Sequence, residues 1–387
     1  MDPRTTARDR IEASRDALVD LSHRIHAMPE LGFEETESAA MVADALELAG
    51  LRVERGISDL PTAFSARAGS GPLRIAICAE YDALPSVGHA CGHNVIAAAA
   101  VGAGIGLAAV ADAIGVEVVV LGTPSEEGGG GKILMLERGG FDGVHAAMMV
   151  HPTFFEIADF PMIAAGHVMV TFRGRPAHAA QAPHLGVNAA DALVVAQVAL
   201  GLLRQQLPPS IKAHGVVRRG GDAINIIPHE TTMEYMFRAP TIGELEGAKA
   251  RILACFEAGA IATGCEVEIV PAGPDYAEVR SDPDLVAAWE RNARALGRRL
   301  WPEAGPQPAA ASTDMGNVSL AIPSIHPGLS LDCYPIVNHQ PEFTAAAATE
   351  IADRAILDGA IGMAWTAIDV ATDPAVRERL LARAAHG

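Results

Sequence analysis

The sequence predicts an α/β protein: a mostly parallel-sheet domain with helices on both faces, interrupted by an inserted ferredoxin-like α+β domain. Three observations predict it. Apolar runs of strand length at Leu73 to Ala79, Val116 to Leu121 and Val144 to Val150 alternate with helical stretches, as in a parallel sheet covered by helices. Each run stops abruptly at polar chemistry: Glu80-Tyr81-Asp82, Gly122-Thr123-Pro124-Ser125-Glu126-Glu127, and His151-Pro152. After Ala164 the texture changes to alternating strands and amphipathic helices in the order β-α-β-β-α-β, the ferredoxin-like arrangement.

In chain order, Leu18, Leu21, Ile25 and Met28 sit at helical spacing, so Thr5 to Met28 is expected as one helix. Pro29-Glu30-Leu31-Gly32-Phe33 ends it, and Glu37 to Ala49 resumes helix until Gly50. Val95 to Ala111 carries no charge, but it is short of the ~20 residues of a membrane span and mostly Ala and Gly. A helix packed closely on a sheet is the expectation there. In the insert, Gly166 to Phe172, Ala213 to Arg219, Glu230 to Arg238 and Cys265 to Val270 read as strands. Val187 to Leu203 and Ile242 to Ala258 read as helices. Pro271-Ala272-Gly273-Pro274 marks the end of the insert, giving residues 1–164 and 275–387 to one domain and 165–274 to the other. Helices follow at Pro283 to Leu296, Glu342 to Thr366 and Ala375 to Ala385, with a Pro-rich loop from Trp301 to Pro308. Pro327 demotes Ser324 to Leu331 to an edge strand or a bulge.

Composition narrows the function. A chain of 387 residues that is 50% hydrophobic but 4% aromatic must build its core from Ala, Val, Leu and Ile. The excess of 47 acidic over 29 basic residues, a net charge of −18, argues against nucleic acid and anionic membranes as partners. Five cysteines without framework spacing fit a reducing cytosol. The charged start, Met1-Asp2-Pro3-Arg4, lacks an apolar signal core, so a cytoplasmic location is expected.

The candidate chemistry lies at the ends of the strands, where ligands bind in open α/β sheets. Cys91 and His93 flank Gly92 on a turn, and a thiolate beside an imidazole suits Zn²⁺ or another borderline divalent metal. His89 is expected to support them from the loop. Glu126 and Glu127 can aim in different directions, one at a metal and one at the attacking water, and the four glycines after them permit close approach. A phosphate loop is excluded, because Glu126 and Ile133 stand where Gly and Ser or Thr are required. His151 and His339 complete five ligand-type side chains with Cys91, His93 and Glu127. That is too many for one tetrahedral zinc and suits two ions with a shared ligand. Asp82 is placed to orient a ligand His. In the insert, His178, Asn225 and Arg238 are of the types that bind carboxylates and developing oxyanions. No G-x-S-x-G elbow is present, and a Cys91–His93 nucleophile pair lacks a separate orienting partner.

These motifs together resemble the two-metal aminoacylase and carboxypeptidase G type metallopeptidases, and within them the amidohydrolases that include hippurate, auxin-conjugate and aminobenzoyl-glutamate hydrolases. The resemblance runs from His26-Ala27-Met28-Pro29-Glu30-Leu31-Gly32-Phe33 through Asp82-Ala83-Leu84-Pro85, His89-Ala90-Cys91-Gly92-His93, Glu126-Glu127-Gly128 and Met149-Val150-His151-Pro152. It continues through Ala177-His178, Gly186-Val187-Asn188-Ala189 and Ser312-Thr313-Asp314-Met315-Gly316 to His339. It implies that Cys91, His93, Glu127, His151 and His339 hold two divalent ions, with Cys91 bridging. Zinc is the first expectation for these ions, with manganese, cobalt and nickel as alternatives. It implies Glu126 as general base and His178, from a lid and dimerisation domain, as stabiliser of the tetrahedral intermediate. Asn225 and Arg238 then hold the substrate carboxylate, and a homodimer is expected. Glu80-Tyr81-Asp82 replaces the usual Asp-Met-Asp, which is closer to the branch with aminobenzoyl-glutamate and β-alanyl-lysine type dipeptide hydrolases. The expected reaction is hydrolysis of an N-acyl amino acid or an unusual dipeptide. The alternatives are a catalytically silent metal- or ligand-binding relative and a cysteine amidase using Cys91.

Overall fold

The computed structural model describes residues 2–306 and 310–383. The chain divides into two compact units, Met1–Met162 with Val279–Gly387, and Ile163–Glu278.

The first unit begins with α1 (Pro3–Ala13), α2 (Arg15–Ala27) and α3 (Thr36–Leu48). The single helix expected over Thr5 to Met28 is therefore two. Ser14 leaves helical geometry (φ −95°, ψ 3°), and its hydroxyl donates back to the Arg10 carbonyl, the competition with the backbone ladder that makes Ser a poor interior residue. Leu18, Leu21 and Ile25 are buried, whereas Met28 caps the helix and is exposed.

The sheet follows: β1 (Arg52–Arg55), β2 (Phe64–Ala68), β3 (Leu73–Ala79), then α4 (His93–Ala108), β4 (Val116–Gly122), α5 (Gly131–Glu137) and β5 (Ala146–Met148). β6 (His151–Thr153) closes this half. Among the described residues the order is β1-β2-β4-β3-β5, completed by β11 (Ser324–Ile325). β4, β3, β5 and β11 run parallel, and β1 and β2 form an antiparallel edge. The fold is mixed α/β with a mainly parallel central sheet. The run expected as one strand to Val150 breaks after Met148, and His151–Thr153 pairs separately with β12 (Gly328–Ser330). Pro327 separates β11 from β12.

Alternate side chains of the parallel strands enter different cores. Ile75, Ile77, Val118, Val120 and Met148 join α1, α2, α4 and the C-terminal helices on one face. Ala76, Cys78, Val119, Leu121 and Ala147 meet Met135 and Val318 on the other. Such two-sided burial explains why these strands read as continuous apolar runs. Small residues let α4 lie close to its neighbours. A side chain at Gly102 would put Cβ 2.8 Å from Ala360 Cβ, and at Gly104 2.6 Å from Val120.

The second unit is built from β7 (Ala164–Arg173), α6 (Ala189–Arg204), β8 (Lys212–Arg219), β9 (Glu230–Ala239), α7 (Ile242–Thr263) and β10 (Glu266–Pro271). Its sheet is antiparallel, in the order β10-β7-β9-β8, and both helices share one core with it.

The chain then returns to the first unit with α8 (Pro283–Ala295), α9 (Met315–Ala321), α10 (Pro341–Ala346), α11 (Glu350–Thr372) and α12 (Pro374–Arg383). The helix expected from Glu342 is two, α10 and α11. Expected positions Gln307, Pro308, Ala384 and Ala385 lie outside the described residues. α11 is long and apolar enough to cross a membrane, yet 83% of its most apolar window is buried within the protein, as befits a core helix.

Candidate functional site

Strand ends and helix starts of the first unit bring the predicted donors together. Glu80 and Asp82 extend β3 and are fully buried. Gly92 adopts a left-handed φ of 79° immediately before α4, which turns Cys91 and His93 toward the same region. A side chain there would also strike Pro152, 2.9 Å from the ideal Cβ. His151 follows β5, and His339 stands in the loop before α10 with a left-handed φ of 71°. The His339 amide donates to the Ala90 carbonyl at 2.8 Å, which ties this distant segment to the Cys91 turn.

Three overlapping groups of donor atoms result, each within 4.8 Å: Cys91, His93 and His151; Cys91, Glu127 and His339; His93, Glu126 and Glu127. Cys91 Sγ lies 3.4 Å from His151 Nε2 and 3.7 Å from His339 Nε2. Glu127 Oε1 lies 3.7 Å from His339 Nε2 and 3.9 Å from His93 Nε2. All five predicted ligands therefore meet, and Cys91 belongs to two groups.

The ring nitrogens turned away from the cluster fix the tautomers. His93 Nδ1 lies 3.0 Å from Asp82 Oδ1, and His151 Nδ1 lies 2.8 Å from the Pro152 carbonyl. Both partners only accept, so each Nδ1 carries the hydrogen and each Nε2 presents a lone pair to the cluster. Buried His93 Nε2 and Glu127 Oε1 make no hydrogen bond. Buried acceptors converging without donors, with sulfur, nitrogen and oxygen represented, fit divalent cations.

Asp82 does more than orient His93. Its second oxygen accepts the Glu127 amide at 2.9 Å, joining the ends of β3 and β4. Burial opposes ionisation of Asp82, but the His93 ring and the Glu127 amide hold its carboxyl below the usual range. Glu126 behaves oppositely. Burial, then the Glu80, Glu127 and Asp314 carboxylates, push it well above the ordinary value, in the direction a general base for neutral pH requires. Its Oε2 is 4.0 Å from His93 Nε2.

The glycine run folds the loop onto itself. Gly128 and Gly130 are left-handed, with φ of 104° and 65°. A Cβ at Gly129 would lie 1.9 Å from Ser125 Oγ, and one at Gly131 1.8 Å from the Pro124 carbonyl. Here the close approach is the loop's own backbone.

His89 is buried beside His26, with ring centroids 6.2 Å apart, and burial pushes it down to about 3. It belongs to none of the donor groups among the described residues. Two buried groups were not anticipated from the sequence. His326 lies between His151 and Phe160, with centroids 5.3 and 5.8 Å away, and Lys132 pairs with Glu80 and Asp314. A His at a strand's end was a usable signal. A buried Lys after glycines carried none.

In the second unit, His178 and Asn225 are adjacent: Ala179 donates to the Asn225 carbonyl at 3.0 Å. His178 Nδ1 accepts the Ala180 and Gln181 amides at 3.3 and 3.1 Å, so Nε2 carries the hydrogen and can donate outward. Arg238 is elsewhere. Arg173 pairs with Glu230 at one end of β9, near His178, whereas Ala165 pairs with Arg238 at the other end. At about 3.3 Å per residue the eight steps from Glu230 to Arg238 span about 26 Å.

Residues 76–355 match Peptidase family M20/M25/M40. The chain is 39% identical over 390 residues to the Xaa-Arg dipeptidase of Mus musculus, an alignment that covers 96% of this chain and 90% of the relative. It is 34% identical over 281 residues to the p-aminobenzoyl-glutamate hydrolase of Escherichia coli, covering 67% of this chain and 58% of that one. Among solved structures, a putative aminohydrolase from methicillin-resistant Staphylococcus aureus aligns with a TM-score of 0.75 at 20% identity, over 95% of this chain and 99% of that one. A dinuclear metal-binding peptidase from Bacillus subtilis aligns with a TM-score of 0.62 at 20% identity, over 90% and 98%.

Proposed function

The chain belongs to peptidase family M20/M25/M40 and is a hydrolase of amide bonds, and from that premise we propose a two-metal dipeptidase or amidohydrolase whose substrate keeps a free carboxylate. The observation that carries this reading is the sharing of Cys91 by two donor groups, with Glu126 beside them. Xaa-Arg dipeptidases and aminobenzoyl-glutamate hydrolase are the relatives at 34–39% identity, so small dipeptides, including ones ending in a basic residue, and aminobenzoyl-glutamate type conjugates are the substrates to test first.

Cys91, His93, Glu127, His151 and His339 would hold two divalent ions, which supply Lewis acidity to the attacking water and the scissile carbonyl. Glu126 takes the proton from the water and delivers it to the leaving amine, a transfer its raised pKa suits. Asp82 keeps His93 in the required tautomer. His178 donates its Nε2 hydrogen to the developing oxyanion, while Asn225 and Arg238 engage the substrate carboxylate. The second unit acts as a lid. Because His178 and Arg238 sit at opposite ends of β9, a compact substrate reaches both only if two chains contribute, which supports a homodimer. The five unpaired cysteines support a reducing, cytoplasmic setting.

Glu126→Gln tests the assignment. Turnover of a dipeptide panel falls by about 10²–10⁴-fold, while two equivalents of metal per chain remain. Undiminished turnover would refute the role.

A further inference from the structure

Glu80 is unused by the chemistry above, yet its placement is unusual. Its side chain is fully buried. One oxygen, Oε1, lies 2.5 Å from the ammonium of Lys132, which is also fully buried and 2.5 Å from Asp314 Oδ1. The Lys132 amide donates to the other Asp314 oxygen at 2.9 Å. This ion pair fixes Glu80 between the end of β3 and the starts of α5 and α9. It leaves Oε2 turned toward His93 Nε2 at 3.5 Å.

That approach sets two electron-rich atoms against each other. His93 Nδ1 carries its hydrogen toward Asp82, so Nε2 offers a lone pair. Glu80 Oε2 and His93 Nε2 are both buried without a hydrogen-bond partner. Such a pair repels unless a cation lies between them. The separation itself is informative. Nitrogen and oxygen ligands of one tetrahedral zinc, at bonds of about 2.0–2.2 Å, stand roughly 3.4 Å apart. Among the described carboxylates near His93 Nε2, Glu80 comes nearer this value than Glu127 at 3.9 Å or Glu126 at 4.0 Å. A Glu80 serving only Lys132 would need one oxygen and has no reason to direct the second at an imidazole lone pair.

We infer that Glu80 is a further oxygen ligand of the ion held by His93, locked in position by Lys132 and Asp314. This rests on the two-metal reading and deepens it, adding a sixth protein donor to the five already assigned. Lys132 has the complementary task. Its ammonium offsets the charge gathered by Glu80, Asp314 and Glu126, and it fixes one carboxylate oxygen so that the other is presented without rotation.

The test is a crystal structure of the wild-type protein loaded with Zn²⁺, with zinc located by anomalous scattering. The inference requires a zinc within about 2.3 Å of Glu80 Oε2 and of His93 Nε2. Zinc on His93 with both Glu80 oxygens beyond about 3 Å overturns this inference alone, since Glu80 is then no ligand at that bond length. No zinc at Cys91 and His93 overturns it together with the two-metal reading. In solution, Glu80→Gln should weaken one of the two zinc sites at least 10-fold in competition with a chromophoric chelator, while Asp314→Asn, which disturbs Lys132 but removes no ligand, keeps both sites. Equal behaviour of the two variants would assign Glu80 a charge-balancing role and overturn the inference.

Discussion

Asp82 and His93 are joined by a 3.0 Å contact between Oδ1 and Nδ1, both side chains fully buried. The same carboxylate receives the Glu127 amide through its other oxygen. One side chain thus sets the tautomer of one candidate ligand and the backbone position of another. Asp82→Ala should lower metal affinity by about 10–100-fold, the usual consequence of removing an outer-shell partner. Chelator competition on the purified variant measures this. Affinity within twofold of wild type would show that His93 and Glu127 hold their geometry unaided.

Glu35 reaches the catalytic loop from α3's leading edge. Its carboxylate accepts the Ser125 amide at 2.7 Å and the Thr62 hydroxyl at 3.1 Å. Burial, then the Asp82 charge, raises it from 4.5 to about 7. The folded state therefore binds this proton more tightly than the unfolded chain. The group favours folding below pH about 4.5, and that contribution is lost as pH rises through 7. Glu35→Gln keeps an acceptor for Ser125 but cannot ionise. Relative to wild type, the variant should gain stability between pH 5 and 8 by an amount on the order of 2–3 kcal/mol. Thermal melts of both proteins in chelator at the two pH values test it. A stability difference that does not change with pH would remove Glu35 as the titrating group.

Metal removal separates the two nucleophiles the site contains. Cys91 Sγ and His151 Nε2 are 3.4 Å apart, close enough to suggest a thiol nucleophile with a basic partner. Burial, then Glu127, pushes the thiol well above its usual pKa, which opposes that role. Exhaustive chelation should abolish hydrolysis, and Zn²⁺ or Mn²⁺ should restore it. Activity that survives chelation but yields to a thiol alkylator would favour the cysteine mechanism instead.

Much of this site was legible because its donors punctuate strongly patterned strands. Leu73–Ala79 and Val116–Gly122 are buried on both faces, so the first polar residue after each run marks the sheet's edge. Cys91 and His339 meet across 248 residues, and only the shared grammar of strand ends anticipated it. What escaped was governed by pairing. Lys132 reads as an ordinary surface lysine, since its burial depends on two carboxylates remote in sequence. Ser14 interrupts an apolar period that itself continues unbroken, so a hydroxyl-to-backbone bond decided the break. His178 and Arg238 were grouped by residue type, but the register of β9 places them at opposite ends, and register is a property of pairing.

That separation yields the last prediction. If His178 and Arg238 act on one substrate, they come from different chains. His178→Ala and Arg238→Ala homodimers should each lose most of their activity while retaining metal, because neither residue belongs to a donor group. Refolding or co-expressing them together gives mixed dimers in which one site takes an intact Arg238 from one chain and an intact His178 from its partner. The second site of the same dimer carries both substitutions. With random pairing half the dimers are mixed, so activity should return to about a quarter of wild type. A single-chain site permits no such rescue, since every chain then lacks one of the two residues. Activity of the mixture equal to the average of the separate variants would return both residues to one chain and remove the argument for a shared site.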